Sequence, residues 1–450
     1  MSSSKLFYEK FNKTYLTQYY NEKIAHKANP GIDRISRTLF EKNIDHYLEV
    51  ICKKTGNGSY KFTCFMEKLI SKGRGKSPRI ISIPTIRDKI TIGVLKEILT
   101  DTYSTQVSTK LTQNIIEDLK NELSNSHYDY FIKIDIRGFY DNIDQQILLN
   151  IIKKKIKKQE VLTLIQKAIE NQTIAAGTKS PDNINRFGVP QGISISNILA
   201  NIYLKDLDKK FSAYKNIAYF RYVDDILIIC NKKNYIRINK SIKNELDSKL
   251  KLSLNEKQDE GEIKKGFDYL GYKYYLINKK VEQYGFGVKQ KSISKLENSL
   301  FGIFAEYKKN TNSEIFIWNL NLRITGFIID KHKYGWLFFY SQIDDISVLH
   351  KLDWFIKEMC KKFNVNVLLQ KRIKKFVKAY YEIIKTRGNS KYIPKSREFS
   401  PVEIRQILDS IFGFSKETLD KLMDDEIIKI FRNKMYLSVQ ELEKDVQSLY

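Results

Sequence analysis

Two segments of this sequence place carboxylates where an apolar strand should end. One is Phe131-Ile132-Lys133-Ile134-Asp135-Ile136-Arg137-Gly138-Phe139-Tyr140; the other is Arg221-Tyr222-Val223-Asp224-Asp225-Ile226-Leu227-Ile228-Ile229. An acid in such surroundings is expensive to bury unless it is paired or bound to metal. Three carboxylates on neighbouring strands form a ligand set for two Mg2+ ions about 3.5–4 Å apart. One ion of such a pair lowers the pKa of an attacking hydroxyl, and the other neutralises a polyphosphate and its departing half. Hard oxygen ligands suit Mg2+, which completes its shell with water and substrate phosphate. Each acid also has a plainer reading. Asp135 alone is a turn former or helix cap, and Asp224-Asp225 alone is the tip of an ordinary hairpin. Their joint occurrence, with the segments further along the chain, favours the metal site.

The elements that must carry these acids are visible around them. Tyr128 to Ile136 reads as a strand ending at an aspartate, with a helix expected to begin near Asp144. Residues 217–221 and 226–231 flank Tyr222-Val223-Asp224-Asp225 as a hairpin, and 196–213 fits a helix with apolar Ile198, Leu199, Ile202 and Leu207. Upstream, 59–65 and 78–84 read as strands around the basic loop Ser71-Lys72-Gly73-Arg74-Gly75-Lys76-Ser77, followed by a helix from about Ile86 to Thr100. Residues 1–50 are mostly helical, broken at Asn29-Pro30-Gly31. Beyond residue 290 the pattern turns helical: Ile343, Ile346, Leu349, Leu352 and Ile356 recur at helical spacing. Ile373, Phe376, Val377, Tyr380 and Ile384 do the same over 371–384, opposite Lys371, Arg372, Lys375 and Lys378. Thr386 to Phe399 reads as a polar linker. Ser400-Pro401-Val402-Glu403 and Ser438-Val439-Gln440-Glu441 each carry a helix-start signature.

Composition narrows the class. The 450 residues exceed one typical core and suggest two or three domains. A hydrophobic fraction of 42% supports a large core and excludes general disorder. The net charge of +26 suits a polyanionic partner, with binding that weakens steeply as salt rises. The charge is uneven: Ser400 to Tyr450 holds 7 basic and 10 acidic residues, net −3, so the rest carries +29. Cys52, Cys64, Cys230 and Cys360 form no paired motif, which argues against a zinc site or a disulfide framework. No signal-peptide core and no apolar run of membrane-spanning length is present, so a cytoplasmic protein is expected.

With these residues in place, the chain resembles the reverse transcriptase family, in the bacterial group II intron-like form. Tyr222-Val223-Asp224-Asp225 resembles the family's aromatic-x-Asp-Asp box, and Ile134-Asp135-Ile136 with Phe139-Tyr140 resembles its first catalytic motif. Gly188-Val189-Pro190-Gln191-Gly192, then Ser196 to Asn201, resembles the Pro-Gln-Gly loop and helix. Arg79 to Pro84 with Arg87-Asp88 resembles the fingers motif, Asn29 to Asp33 an upstream element, and Phe267 to Tyr272 the primer grip. The six are collinear between about residues 20 and 280.

The resemblance implies an α+β right-hand polymerase that copies RNA into DNA. It implies an N-terminal extension and fingers over 1–127 and a palm over 128–280, with finger insertions near 150–190. An α-helical thumb over 281–385, a linker over 386–399 and a small acidic helical module over 400–450 would follow. It implies a catalytic triad of Asp135, Asp224 and Asp225 with the Ile136 carbonyl as an added ligand, holding two Mg2+. Nucleotide contacts fall to Arg79, Tyr140, Gln191 and Gly192, and to Lys72 or its rival Lys76. Tyr140 takes the place of the sugar-selecting aromatic. Lys257 takes that of a lysine proposed to protonate pyrophosphate, or is a surface residue. The implied partners are an RNA template, deoxynucleotides and a DNA product. Arg323 to Lys357 resembles the region after the palm in the "unknown group" and abortive-infection enzymes, which are associated with phage defence and often use a cognate non-coding RNA. Its aromatic cluster reads equally as core or as a stacking surface for unpaired bases. The 400–450 module packs on the thumb, joins two copies, or holds a companion protein. Competing functions are a maturase-like RNA-binding protein and a template-independent or protein-primed DNA polymerase.

Overall fold

The computed structural model describes all residues except 1, 26–27, 72, 74, 76, 109, 126, 180–182, 256–257, 387–389 and 448–450. The chain is an α+β protein that divides into two compact units. The first comprises Met1–Lys110 and Tyr128–Gly261; the second comprises Leu111–His127 and Glu262–Tyr450. None of the described helices is long and apolar enough to cross a membrane.

The first unit is built on two small sheets. Strands β1 (Phe65–Ile70), β2 (Arg79–Ile83) and β4 (Thr173–Ile174) form one, in the order β2-β1-β4. Strands β3 (Tyr130–Asp135), β5 (Ile217–Tyr222), β6 (Asp225–Cys230) and β7 (Asp259–Glu262) form the other, in the order β5-β6-β3-β7. Ile226 to Cys230 is buried on both faces, as expected of a continuous apolar run in a central strand. Helices Gln145–Lys155 and Ser196–Ser212 join the same core through Leu148, Ile152, Leu199 and Tyr203. Helix Ile86–Tyr103 is buried at twelve positions distributed around its circumference, so it passes through the core. Thr85 caps it through the Asp88 N–H at 3.2 Å, and Gly31 lies against Thr85 so closely that a Cβ would meet its backbone at 2.7 Å.

The first strand begins later than the apolar pattern predicts, at Phe65 rather than near residue 59. The preceding backbone is bonded to a side chain instead of to a neighbouring strand. Asp88, fully buried, accepts from the Tyr60 hydroxyl at 2.7 Å and from the Thr63 N–H at 3.0 Å.

The second unit opens with an antiparallel sheet of Phe267–Tyr269, Tyr272–Asn278 and Gln283–Val288. Helices follow at Gln290–Asn310, Ser313–Thr325, Ser347–Lys362, Phe376–Thr386, Pro401–Ser410 and Asp424–Gln447. A short hairpin, Phe327–Ile329 with His332–Tyr334, interrupts the helical region. Trp336, Leu337, Phe338 and Tyr340 are buried and belong to the core, while Tyr334 and Phe339 are half-buried.

Three sequence-based boundaries shift here. Ile343 and Ile346 precede their helix, which starts at Ser347, where Asp345 accepts the Ser347 N–H at 2.9 Å. Ile373 precedes its helix too, because Asp353 caps Phe376 and Val377 at 2.7 and 3.3 Å from another part of the chain. Removing that cap in Asp353→Ala should lower stability by about 1–2 kcal/mol in denaturant unfolding. Ser438 starts no helix: it lies within Asp424–Gln447, and its hydroxyl donates to the Lys434 carbonyl one turn back. The capping box at Ser400 and Glu403 is present.

The 400–450 segment is joined to the elements before it. Ile404, Leu408, Ile427, Phe431, Met435, Val439 and Leu442 share one core with Leu322, Phe327 and Ile329. Buried Asp445 pairs with Arg323 at 3.2 Å and accepts from Ser299 at 2.7 Å. The stretch before it is tied down as well. Ile393 is buried, and Ile328 donates its N–H to the Pro394 carbonyl at 3.1 Å.

Candidate active site

The strand register brings the predicted acids together. In the antiparallel β3–β6 pair Asp135 stands opposite Asp225, and in the β5–β6 pair Asp225 stands opposite Tyr222. Val223 and Asp224 are left as a two-residue turn at the same end of the sheet. Such a turn demands a positive φ, usually met by Gly or Asn. Here Val223 adopts φ +55°. A β-branched side chain in that region is strained by about 1–3 kcal/mol.

The acids affect one another's charge. The Asp224 carboxyl is pushed up to about 6, chiefly by burial and next by Asp225, with a further push from Asp135. Its own backbone N–H and the Arg79 guanidinium act in the opposite direction. Asp135 is exposed and held by Asn255, whose side-chain amide donates to Oδ2 at 2.7 Å and whose backbone N–H donates to the Asp135 carbonyl at 3.1 Å. Arg137 donates its N–H to Ser253 at 2.9 Å, so Ile136 and Leu254 form the intervening non-hydrogen-bonded pair. The Ile136 carbonyl is therefore turned away from that strand.

This donor set fits hard divalent cations. Mutually repelling carboxylates lose that repulsion when a cation sits among them. Among the described residues, however, no three His, Cys, Asp or Glu side chains are arranged to enclose an ion by themselves. Mg2+ is usually bound by one or two carboxylates together with substrate phosphates. An open triad of this kind suits an ion that arrives with its nucleotide.

The remaining predicted residues converge from three directions. Tyr140 lies on the short helix Phe139–Asn142; its hydroxyl is pushed up to about 12 by burial and then by the Asp224 and Tyr222 charges. The loop before helix Ser196–Ser212 is tied to it, with Val189 donating to the Tyr140 carbonyl at 2.8 Å. Gln191 links two elements: its carbonyl accepts from Ser82 on β2 at 2.7 Å, and its amide donates to Asp141 at 3.1 Å. Gly192 has φ +98°, and a Cβ there would sit 2.6 Å from Ile81. Arg79 starts β2 with an exposed side chain, and its charge is felt at both Tyr140 and Asp224. Lys72, its rival Lys76, and Lys257 lie outside the described residues.

Two contributors escaped the sequence reading. Asn255 lies in a segment read only for Lys257. Arg221, on β5 just before the turn, pairs with Asp208 at 2.7 and 2.5 Å and donates to the Val223 carbonyl at 2.7 Å. A cation beside an apolar strand calls for a buried partner, and that was the available signal.

A small sheet ending in three carboxylates and an α+β build fit a right-hand polymerase fold. The match to known families agrees: residues 70–274 fit the profile described as reverse transcriptase (RNA-dependent DNA polymerase). Over residues 70–274 the chain is similar to the reverse transcriptase family, in its group II intron-like type. It is 24% identical over 302 residues to Protein YkfC of Escherichia coli K12, covering 57% of this chain and 77% of that one. It is 28% identical over 172 residues to the group II intron-encoded protein LtrA of Lactococcus lactis, covering 36% of this chain and 28% of LtrA. Among solved structures, telomerase from Candida albicans in complex with a TWJ fragment of telomeric RNA aligns at 13% identity and a TM-score of 0.45. That alignment covers 86% of this chain and 69% of the telomerase.

Proposed function

We propose that this chain extends a primer 3′-hydroxyl with deoxynucleotides on an RNA template, using Asp135, Asp224 and Asp225 as the catalytic triad. The observation that carries the proposal is the β3–β6 register, which sets Asp135 opposite Asp225 within the stretch similar to this family. Two Mg2+ would be held by these carboxylates and the Ile136 carbonyl; when bound, they supply an activated hydroxyl and charge neutralisation at the phosphates. Arg79 adds positive charge on the side where the triphosphate enters. Gln191 and Gly192 support the nucleotide and the template base, with glycine allowing close backbone approach. Of the residues implied by the family, Lys72 or its rival Lys76, together with Lys257, complete the proposed nucleotide contacts.

Tyr140 is proposed to select the sugar: an aromatic ring in this place would clash with a 2′-hydroxyl. Tyr140→Ala should raise ribonucleotide incorporation relative to deoxynucleotides by about 10–100-fold. Competition assays with matched ribo- and deoxynucleotides measure this, and unchanged discrimination would reject the role.

We further propose, from the resemblance of Arg323 to Lys357, that the template is a dedicated non-coding RNA, that the protein acts in the cytoplasm, and that it serves phage defence. The large positive charge outside 400–450 supports an RNA partner. The main apolar face of 400–450 packs within the chain, which leaves a companion protein or second copy to its remaining surface. The deciding experiment sequences RNA that co-purifies from the native host and the DNA made after adding Mg2+ and deoxynucleotides, beside an Asp224→Asn control. DNA complementary to one bound RNA, absent in the control, supports the proposal. Bound intron RNA without DNA indicates a maturase, and DNA matching no bound RNA indicates untemplated or protein-primed synthesis.

A further inference from the structure

The Arg221 side chain is only 4% exposed, and it reaches three groups. Nε and Nη2 grip the two Asp208 oxygens at 2.7 and 2.5 Å, and Nη1 donates to Asn201 Oδ1 at 3.1 Å. The same Nη1 donates to the Val223 carbonyl at 2.7 Å. Asn201 and Asp208 stand two turns apart on helix Ser196–Ser212, so they share a face. Asp208 is fixed further by the Tyr219 hydroxyl at 2.8 Å. The anchor is rigid because its two acceptors belong to one helix whose apolar side is in the core.

The contact on Val223 sets this arrangement apart from an ordinary buried ion pair. Pairing with Asp208 satisfies the charge and does not require a donor aimed at the turn. The carbonyl it takes belongs to the peptide joining Val223 to Asp224. That peptide is planar and trans, so fixing its C=O on one side fixes the Asp224 N–H on the other. The Asp224 side chain leaves the Cα that follows this N–H, so the orientation of the peptide plane sets the direction of the carboxylate. A chain of contacts thus runs from helix Ser196–Ser212 through Arg221 and one peptide plane to the carboxylate at the tip. It spans the one residue of the turn, Val223, that is held at φ +55°.

We propose that Arg221, anchored by Asp208 and Asn201, is a positioning residue: it holds the strained Val223 turn and so presents the Asp224 carboxylate to the catalytic cation. This inference rests on the polymerase reading above and deepens it. Arginine is required at this position. Lysine keeps the charge but offers a point donor in place of a fork, and cannot grip Asp208 and reach Val223 together.

The test compares wild type, Arg221→Lys, Val223→Gly and the double variant. It measures kcat and KM for deoxynucleotide, thermal unfolding, and Mn2+ affinity from the free-ion electron paramagnetic resonance signal. Arg221→Lys should lower kcat by about 10–100-fold while KM changes by less than about 3-fold, as misplacement of a reacting group predicts. Its Mn2+ affinity should fall by about 5-fold or more. Glycine enters the positive-φ region without strain, so in the Val223→Gly background the Arg221→Lys penalty should shrink to a few-fold. An equal penalty in both backgrounds, or unchanged Mn2+ affinity, overturns the proposal. If Arg221→Lys does not fold, Asp208→Asn, which keeps an acceptor for Nε, is carried through the same measurements with the same criteria. If wild type makes no DNA, the polymerase reading fails, and the Mn2+ comparison still decides the clamp.

Discussion

Asp224→Asn should abolish DNA synthesis, lowering kcat by at least about 10³-fold, and at the same time make the metal-free protein more stable. The two effects share one cause. Asp224 is desolvated by burial in the turn and crowded by Asp225 and Asp135, and its carboxyl is pushed up from 3.8 to about 6. The folded state therefore holds the Asp224 proton more tightly than the unfolded chain does. Between about pH 4 and 6, stability falls as pH rises, and above about 6 the full penalty is present. A shift of two units corresponds to nearly 3 kcal/mol, which solvent exposure reduces to about 1–2 kcal/mol. The amide of Asn carries no charge to repel its neighbours. In chelator at pH 8, denaturant unfolding should thus show Asp224→Asn more stable by about that amount. The gap should close as pH falls from 6 to 4. Added Mg2+ should stabilise wild type more than the variant, since it binds the folded triad. A variant that stays active would refute the triad. One that is inactive yet no more stable would show that burial and the neighbouring carboxylates do not penalise the Asp224 charge as described.

Gly188→Ala should lower stability by about 2–4 kcal/mol and reduce activity by more than tenfold. Gly188 has φ +72°, and an added Cβ would lie 2.8 Å from the carbonyls of both Tyr140 and Asp141. These are backbone atoms of the helix that carries the proposed sugar-selecting ring, and no side chain can swing aside. The loop is also fixed on both sides: Gly188 donates to Ile143 at 2.9 Å, and its carbonyl accepts from Gln145 at 2.9 Å. The methyl group must therefore displace the Tyr140 helix, the Gln191 loop, or both. Gly177 provides the control, with φ +87° and nothing within 4 Å of an added Cβ. Gly177→Ala bears the backbone strain alone, so it should cost about 1 kcal/mol and leave activity near wild type. Urea unfolding and steady-state primer extension measure both variants. Equal effects at the two positions would show that backbone strain, and not the clash with Tyr140 and Asp141, governs the loop.

Much of the site was legible because its signals are local. An apolar run broken by Asp135, and a second broken by Asp224-Asp225, required no knowledge of the fold. Ser400 and Glu403 marked a helix start for the same reason, since a capping box lies within one turn. The same signature misled at Ser438, where apolar Val439 and Leu442 continue a helix already under way. A cap motif permits a helix start, and packing decides whether one occurs.

The contacts that shape the site were not legible, because each joins residues remote in sequence. Asn255 reaches Asp135 across 120 residues, Gln191 reaches Asp141 across 50, and Asp353 caps a helix 23 residues away. Neither composition nor periodicity encodes which polar side chain a turn will meet.

The sequence by itself determined three carboxylates, the strands that end at them, the order of the motifs and their similarity to one family. Hydrophobic period and local capping suffice for that, since both act within a few residues. Only the tertiary structure decided the register that sets Asp135 against Asp225, and the burial and crowding that raise Asp224. It also decided that Val223 stands strained between them with Arg221 on its carbonyl. Those are properties of distance in space. A shift of one residue in the strand pairing would have turned every one of these side chains to the opposite face.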